Sequence, residues 1–551
     1  MFTLHAHSNY SILRGTIPVE ELIAFAVKSG SKYVSLTDTN GMYGLIHFAK
    51  KAIENNIKPV LGTFIDDPSD EKLNAVFLAK NNEGYSLLCR LITNRKLNED
   101  FNLADFINTG ADNLFILTSS IGLLEQVDLN NIRENLYAEL IVTEKQKKKT
   151  RELYEYAKKN NIKIAASHPA YFIKKEDYLL YRIVNAIREN TTLANQSFDN
   201  LVDEEFYLKT PAELDEVWKS LPEATQNADY IAENCNVDLE LGKNKFPVFP
   251  LPEGETSFSF LWKIAHAGLA EKYDPVTDVE KNRLDEELSI IDEMGFSDYF
   301  LVVWDIVQEA KKRNMMMVGR GSAANSIVSY CLGFSQVDPI KYNFYFERFL
   351  NRTRSNPPDI DLDFSWRERD EIVKYVFDRY GYDKVAMIST TVTFRARSAF
   401  RETAKVFGIS DREISKYSKF IPWTGADNLP VLAKKFPESK KLDFNDEPWK
   451  SIIDIASKLA SFPRHLSIHA SGIVVSPKPI NNYLALEFAK NKGLGLIITQ
   501  PDMYQIEDIG LVKIDLLSQR ALGVLRDTIN RLDEKENKKT GGPIIYRIEQ
   551  S

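Results

Sequence analysis

Pro358-Asp359-Ile360-Asp361-Leu362-Asp363-Phe364 alternates acid with apolar residue. In a strand, side chains at i and i+2 point the same way. Asp359, Asp361 and Asp363 would then share one face, with Ile360 and Leu362 on the other. Like charges that close repel. Hard divalent cations with oxygen ligands, Mg²⁺ above all, relieve that repulsion. Two such ions about 3.5–4 Å apart can activate an attacking hydroxyl and stabilise the leaving oxygen of a phosphoryl or nucleotidyl transfer. Taken alone, the pattern is more often an acidic turn or an edge strand with solubilising charges.

Two neighbouring segments change that weighing. Gly319-Arg320-Gly321-Ser322 reads as a tight turn entering a helix over Ala323–Tyr330. Two glycines let backbone approach a ligand closely, and amides at a helix N-terminus bind phosphate. Arg320 adds a forked donor suited to phosphate oxygens. Alone, the turn could simply be capped by Ser322. Gly510-Leu511-Val512-Lys513-Ile514-Asp515-Leu516-Leu517 is an apolar strand with Lys513 and Asp515 on one face. Charges in a buried strand are costly unless paired or metal-bound. A phosphate cradle and a carboxylate strand are the two parts a nucleotidyl transfer needs.

Further out, the chain is an ordinary globular sequence. It has 551 residues, 44% apolar and 27% charged, which suggests about three or four domains. No run of ~18 apolar residues marks a membrane span. The opening Met1-Phe2-Thr3-Leu4-His5 has no signal-peptide pattern, so a cytoplasmic location is expected. Cys89, Cys235 and Cys331 are far apart and form no CxxC pair, which argues against disulfides and zinc modules. The net charge of −8 disfavours nucleic acid only on average, since a local basic surface suffices. One candidate surface holds Arg395, Arg397, Arg401, Lys405, Arg412, Lys416 and Lys419. By itself, that run is more often a solvated helix face.

The first ~240 residues alternate strands with helices. Tyr33–Thr37, Lys58–Leu61, Ala75–Ala79, Leu114–Leu117 and Ile162–Ala166 read as strands, and Val19–Ser29 as a helix stopped by Gly30. The rhythm predicts an α/β layer or barrel with strand ends gathered at one rim. Gly242–Glu255, with its prolines, reads as a boundary. Beyond it, Leu284, Leu288 and Ile291 share a helical face, Tyr299–Arg313 and Trp366–Tyr380 read as helices, and Ile473–Val475, Leu496–Thr499 and Leu511–Leu517 as strands. The tail Asp533–Gly542 is expected to be exposed.

The run Glu286–Asp305, together with Gly319–Ala324, Val337-Asp338-Pro339, Phe346–Asn351, Pro358–Phe364, Arg464–Ala470 and Lys513-Ile514-Asp515, resembles the C-family DNA polymerases, the alpha subunits of bacterial DNA polymerase III. The resemblance runs from near residue 1 to about residue 530. It implies a multidomain α/β and α+β chain: a PHP-type α/β barrel over 1–240, a nucleotidyltransferase-type palm over 241–390 and 471–520, a mostly helical thumb over 391–470, and the start of the fingers or a disordered tail over 521–551. It implies that Asp359, Asp361 and Asp515 hold two Mg²⁺, with Asp363 a further acid of the motif. Arg320, Gly321, Ser322 and Lys513 would meet the incoming dNTP. Arg395, Arg397, Arg401 and Lys405 would grip primer-template DNA, with sequence-independent, salt-sensitive contacts. His465 and His469, four apart, lack a third ligand and are expected to be structural.

His5-Ala6-His7 resembles the first motif of the PHP domain, a phosphoesterase-like domain. An HxH on a strand puts two imidazoles on one face. The family's further ligands are replaced: Arg14-Gly15, Thr37-Asp38-Thr39, Gly62-Thr63-Phe64 and His168-Pro169-Ala170-Tyr171 stand where active members carry acids and histidines. His5, His7, Asp38 and His168 remain as a degenerate site. The resemblance therefore implies a structural PHP domain without metal or hydrolysis. Of the fingers, the chain is expected to hold only a first helix, about Arg520–Leu532. Polymerisation is then expected to need a fingers-bearing C-terminal partner or other replisome subunits; the alternatives are a fragment that binds DNA or a partner without polymerising and, less favoured, a PHP-domain phosphoesterase or exonuclease.

Overall fold

A computed structural model describes residues 1–353, 357–489 and 496–537 of the chain. Six strands form the first sheet: β1 (Tyr33–Leu36), β2 (Lys58–Asp66), β3 (Asn74–Ala79), β4 (Leu114–Thr118), β5 (Leu136–Ile141) and β6 (Lys163–Ser167). Their spatial order is their chain order. β1 and β2 pair parallel, β2–β3 and β3–β4 antiparallel, and β4–β5–β6 parallel. Helices such as Val19–Lys28 connect them, and this one turns Leu22, Ile23 and Ala26 inward. It ends at Gly30, whose φ of +72° is a left-handed conformation that glycine adopts without strain.

The N-terminal segment closes this sheet on itself at one rim. Ala6 O accepts from Thr37 N just past β1, while His7 N donates to Ala170 O and Ala170 N to His5 O just past β6. His5 and His7 therefore stand between the two edge strands. The expected α/β barrel is present, with a sixth strand, β5, that the sequence did not disclose.

The remaining strands are β7 (Met317–Arg320), β8 (Asp361–Ser365), β9 (Val385–Thr393), β10 (Pro463–Val475), β11 (Leu486–Phe488), β12 (Ile497–Asp502) and β13 (Lys513–Gln519). The chain divides into two compact units. One holds Met1–Leu241, Ser389–Ser467 and Asn481–Gln505. The other holds Gly242–Ile388, Ile468–Ile480 and, among the described residues, the chain from Ile506 to Asn537.

Within the first unit, helices Ala396–Val406 and Trp449–Lys458 share a core with helix Tyr178–Glu189. Phe394, Phe400, Ile414 and Ile452 meet Leu180, Ile183 and Val184 there. The β11–β12 hairpin is bonded to the barrel. Tyr43 OH donates to Glu487 Oε2 at 2.7 Å, Met42 N to Gln500 Oε1 at 2.9 Å, and Gln505 Nε2 to Tyr43 O at 2.7 Å.

The core of the second unit is the strand run β10-β13-β8-β7, with β10 contributing its residues from Ile468 onward. β7–β8 is antiparallel, β8–β13 parallel and β13–β10 antiparallel. Helix Ser297–Lys312 buries Phe300, Val303, Ile306 and Val307, and helix Arg369–Tyr380 buries Ile372, Val373, Val376 and Phe377. Leu284, Leu288 and Ile291 are buried together, as their spacing predicts. A helix does follow β13, over Arg520–Asn537. Residues 538–551, with the end of the tail read as exposed, lie outside the described residues. The three cysteines are buried and unbridged. Among the described residues, no helix is long and apolar enough to cross a membrane.

Candidate active site

The parallel pairing of β8 with β13 sets Asp361 directly beside Asp515. Asp359 precedes β8 by two residues and completes a cluster in which carboxylate oxygens of all three lie within 4.8 Å of one another. Asp515 is buried, Asp361 half-buried and Asp359 exposed. Burial, then the charges of Asp359 and Asp515, push the Asp361 carboxyl up to about 6. Three hard oxygen donors at this spacing fit a divalent cation of the Mg²⁺ kind. The cluster differs from the single-face stack read from the alternation. β8 begins only at Asp361, so Asp359 is not a strand residue, and the third place is taken by Asp515 from β13. Asp363 turns to Arg320 instead, whose Nη2 is 3.7 Å from its Oδ1.

Two side chains hold Asp515. Ser471 Oγ donates to Oδ1 at 2.7 Å, and Lys513 Nζ to Oδ2 at 2.6 Å. Lys513 Nζ also lies 3.8 Å from Asp359 Oδ1. Burial works against the Lys513 ammonium, but its bond to Asp515 and the nearby acids outweigh that and raise its pKa.

The glycine segment lies against the same cluster. Arg320 on β7 is paired with Asp361 on β8. A Cβ at Gly319 would stand 1.6 Å from Phe334 O, so only glycine fits there. Gly321 has φ +77°, and its Cβ position is 3.5 Å from Asp361 Oδ2. The helix expected from Ala323 does not form. Gly321–Asn325 is a 3₁₀ turn, and the α-helix that follows spans only Ile327–Leu332, capped by Ser326 through Ser329 N. Ser322 is therefore a turn residue and not the cap.

What fixes the cradle is a residue the sequence reading passed over. Glu287, fully buried, accepts from Ser326 Oγ at 2.7 Å, from Val328 N at 3.3 Å and from Arg283 Nε at 2.7 Å. Burial raises its pKa against those bonds. The signal was available: Glu287 stands on the same helical face as Leu284, Leu288 and Ile291, where an unpaired charge would be costly. Ser471 carried no comparable signal.

The basic stretch is partly committed to its own unit. Arg397 donates from Nη2 to Ile421 O at 2.7 Å. Arg401 pairs with Asp411 at 3.2 Å, and Lys405 lies 3.9 Å from Glu402. Arg395 lies over the ring of Trp423 at 5.2 Å, and that indole is 84% exposed. His465 and His469 lie along the extended β10. Four residues of strand separate them by roughly 13 Å, too far to share one ion. His469 Nδ1 instead accepts from Gly472 N at 2.8 Å.

In the barrel, the His5 and His7 rings are 4.9 Å apart, as an HxH strand predicts. His5 Nδ1 bonds Glu139 Oε1 at 2.7 Å, and Ser167 Oγ donates to the same oxygen. Glu139 comes from β5, so it was missed together with its strand. Phe64 stacks on His5 at 5.1 Å and Tyr171 on His7 at 4.0 Å. Burial, His5 and Arg14 hold His7 well below the ordinary histidine range. Asp38 Oδ1 accepts from Ser8 N at 2.7 Å and Ser11 Oγ at 2.7 Å, while Oδ2 takes Ser8 Oγ at 2.8 Å. His168 is turned to Tyr207 O at 2.9 Å. The four remnant residues thus have hydrogen-bond or ring partners inside the protein.

Comparison with known proteins places these features. Residues 259–518 match the family described as the bacterial DNA polymerase III alpha NTPase domain, and residues 3–162 match the PHP domain. The DNA polymerase III subunit alpha of Bacillus subtilis is 32% identical over 559 residues, covering 97% of this chain and 50% of its own length. The error-prone DNA polymerase of Symbiobacterium thermophilum is 30% identical over 574 residues, 96% of this chain and 52% of that one. The alpha subunit of Thermus aquaticus is 30% identical, 97% of this chain and 52% of that one. The chain spans about half the length of the curated relatives it matches.

Proposed function

We propose, from its matches to the PHP domain and to the bacterial DNA polymerase III alpha NTPase domain, that this chain performs template-directed DNA synthesis in replication. The primer 3′-oxygen bonds to the α-phosphorus of a dNTP, the α–β phosphoanhydride bond breaks, and pyrophosphate leaves. The observation that carries this reading is the register of Asp361 with Asp515, which brings Asp359, Asp361 and Asp515 together beside the strand that bears Arg320. These three residues would hold two Mg²⁺, which when bound promote loss of the primer hydroxyl's proton and neutralise the departing phosphates.

The rest of the work falls to the chain. Arg320, with the backbone of Gly321 and Ser322, receives the triphosphate. Lys513 supplies a second cation to the same phosphates. The exposed Arg395, with the remaining basic side chains of the Ala396–Ser418 helices, meets duplex backbone, and that binding weakens steeply with salt. The barrel is read as a structural element. Ser8 and Ser11 hold Asp38, Glu139 holds His5, and two aromatic rings cover the histidines.

The test is Mg²⁺-dependent extension of a primed template. It is run with the chain alone and with a polypeptide supplying the remaining length of a relative. Extension should fall by at least about 10³-fold in Asp361→Asn, in line with losing a metal ligand at a site where electrostatic stabilisation dominates. Extension that survives the substitution would refute the role assigned to the cluster.

A further inference from the structure

Both oxygens of Asp515 are engaged inside the protein, one by Ser471 Oγ and the other by Lys513 Nζ. The same ammonium lies 3.8 Å from Asp359 Oδ1, so a single side chain serves two of the three clustered carboxylates. Lys513 is the first residue of β13, two before Asp515 and hence on its face. Its backbone is pinned by pairing with Val474 of β10. The contact is therefore built into the strand, and Lys513 is largely buried where it makes it.

A divalent cation held by Asp359 and Asp515 would compete with Lys513 for their carboxylates. The two cations would sit close together, where like charges repel strongly. The ammonium can leave, because its flexible four-carbon stem allows the head to swing while the backbone stays fixed.

We propose that Lys513 is a built-in stand-in cation: it offsets part of the cluster's charge until a divalent ion displaces it, and the displaced ammonium is then the group that meets the triphosphate. The idea rests on the cluster being the metal site of the proposed polymerase. It adds that metal and nucleotide bind cooperatively through one exchanging side chain, since each favours the state in which Lys513 has left Asp515. A lysine that stayed on Asp515 would also oppose the metal by charge repulsion, so release of its ammonium when metal binds is what the exchange alone predicts.

The test follows Mn²⁺ by the electron paramagnetic resonance of the free ion, using the full chain with and without a non-hydrolysable dNTP analogue. Lys513→Met should bind Mn²⁺ roughly tenfold tighter than wild type when no nucleotide is present. The further tightening that the analogue brings to the wild type should largely disappear. Equal or weaker Mn²⁺ binding by Lys513→Met would overturn the exchange. A second measurement needs no variant: amine acetylation mapped by mass spectrometry should show Lys513 of the wild-type chain becoming more reactive when Mg²⁺ is added. Unchanged reactivity would also overturn it. Asp361→Asn separates this proposal from its premise. Mn²⁺ binding that ignores Asp361→Asn sinks the metal-site reading itself, whereas binding that needs Asp361 but ignores Lys513 sinks only the exchange.

Discussion

Asp38→Asn should change how the stability of the barrel responds to pH. Asp38 is buried, and desolvation, opposed by its bonds from Ser11 and Ser8, pushes its carboxyl from an ordinary 3.8 up to about 6. The folded value lies above the unfolded one, so across that interval the native chain keeps a proton that the unfolded chain has released. The contribution is therefore full below about pH 4 and is lost as pH rises through about 6. A shift of about two units corresponds to about 3 kcal/mol. Asparagine keeps the shape. Its Oδ1 can accept from Ser8 N and Ser11 Oγ, and its amide can donate to Ser8 Oγ once that hydroxyl turns. It never buries a charge, so the variant lacks the loss. Thermal melts of both proteins from pH 4 to 7.5 read the difference directly, because other titrating groups cancel between them. The Tm of the variant relative to wild type should climb by a few degrees over that range. A flat or falling difference would refute the assignment of Asp38 as a buried, internally bonded carboxylate. The same melts with Mn²⁺ or Zn²⁺ probe the degenerate site: both proteins should respond alike, and a metal-induced rise confined to the wild type would make Asp38 a ligand.

Gly319→Ala forces a methyl to within 1.6 Å of Phe334 O. Carbon and carbonyl oxygen need about twice that, so β7 must shift, at a cost of about 3 kcal/mol. Tm should drop and primer extension weaken, and an unchanged melt would show that the close approach is not required. Glu287→Ala removes the acceptor shared by Ser326, Val328 and Arg283. Loss of a buried partner costs roughly 3–5 kcal/mol, toward the lower end here because Arg283 can rehydrate. The KM for dNTP should rise more than kcat falls, while Ser326→Ala should cost only about 1 kcal/mol. Equal loss in both kinetic parameters would count against a positioning role.

Much of this was legible in the residues because its cause is local. Alternation placed five of the six barrel strands, the HxH spacing put two imidazoles on one face, and the pairing of acids with a glycine turn pointed to phosphate chemistry. Most of what escaped has non-local causes. β5 is buried along its whole length, but Glu139 interrupts its apolar run, and its partner is His5, far away in sequence. β10 showed only its last residues as a strand, although Leu466, Ile468 and Ala470 alternate with His465, Ser467 and His469 along its first part, a period-2 signal that was passed over. The DxDxD pattern suggested that its own three acids group together. The pairing of β8 with β13 decided otherwise, because register between distant strands is not written in either one alone.

That pairing also sets a timetable. Asp361 and Asp515 are direct neighbours across a parallel ladder, yet Ser389–Ser467 and Asn481–Gln505 of the first unit lie between them in sequence. Contacts of such long separation form late, because the entropy of closing the intervening loop must be met first. During synthesis, Asp359 and Asp361 emerge long before β13, when only β7 is available to pair with β8. The repulsive cluster, with the cation affinity that comes with it, comes into being only when β13 docks and delivers Asp515 together with Lys513. The chain thus assembles its three-carboxylate cluster in a single late step, with a partly compensating ammonium carried in on the same strand.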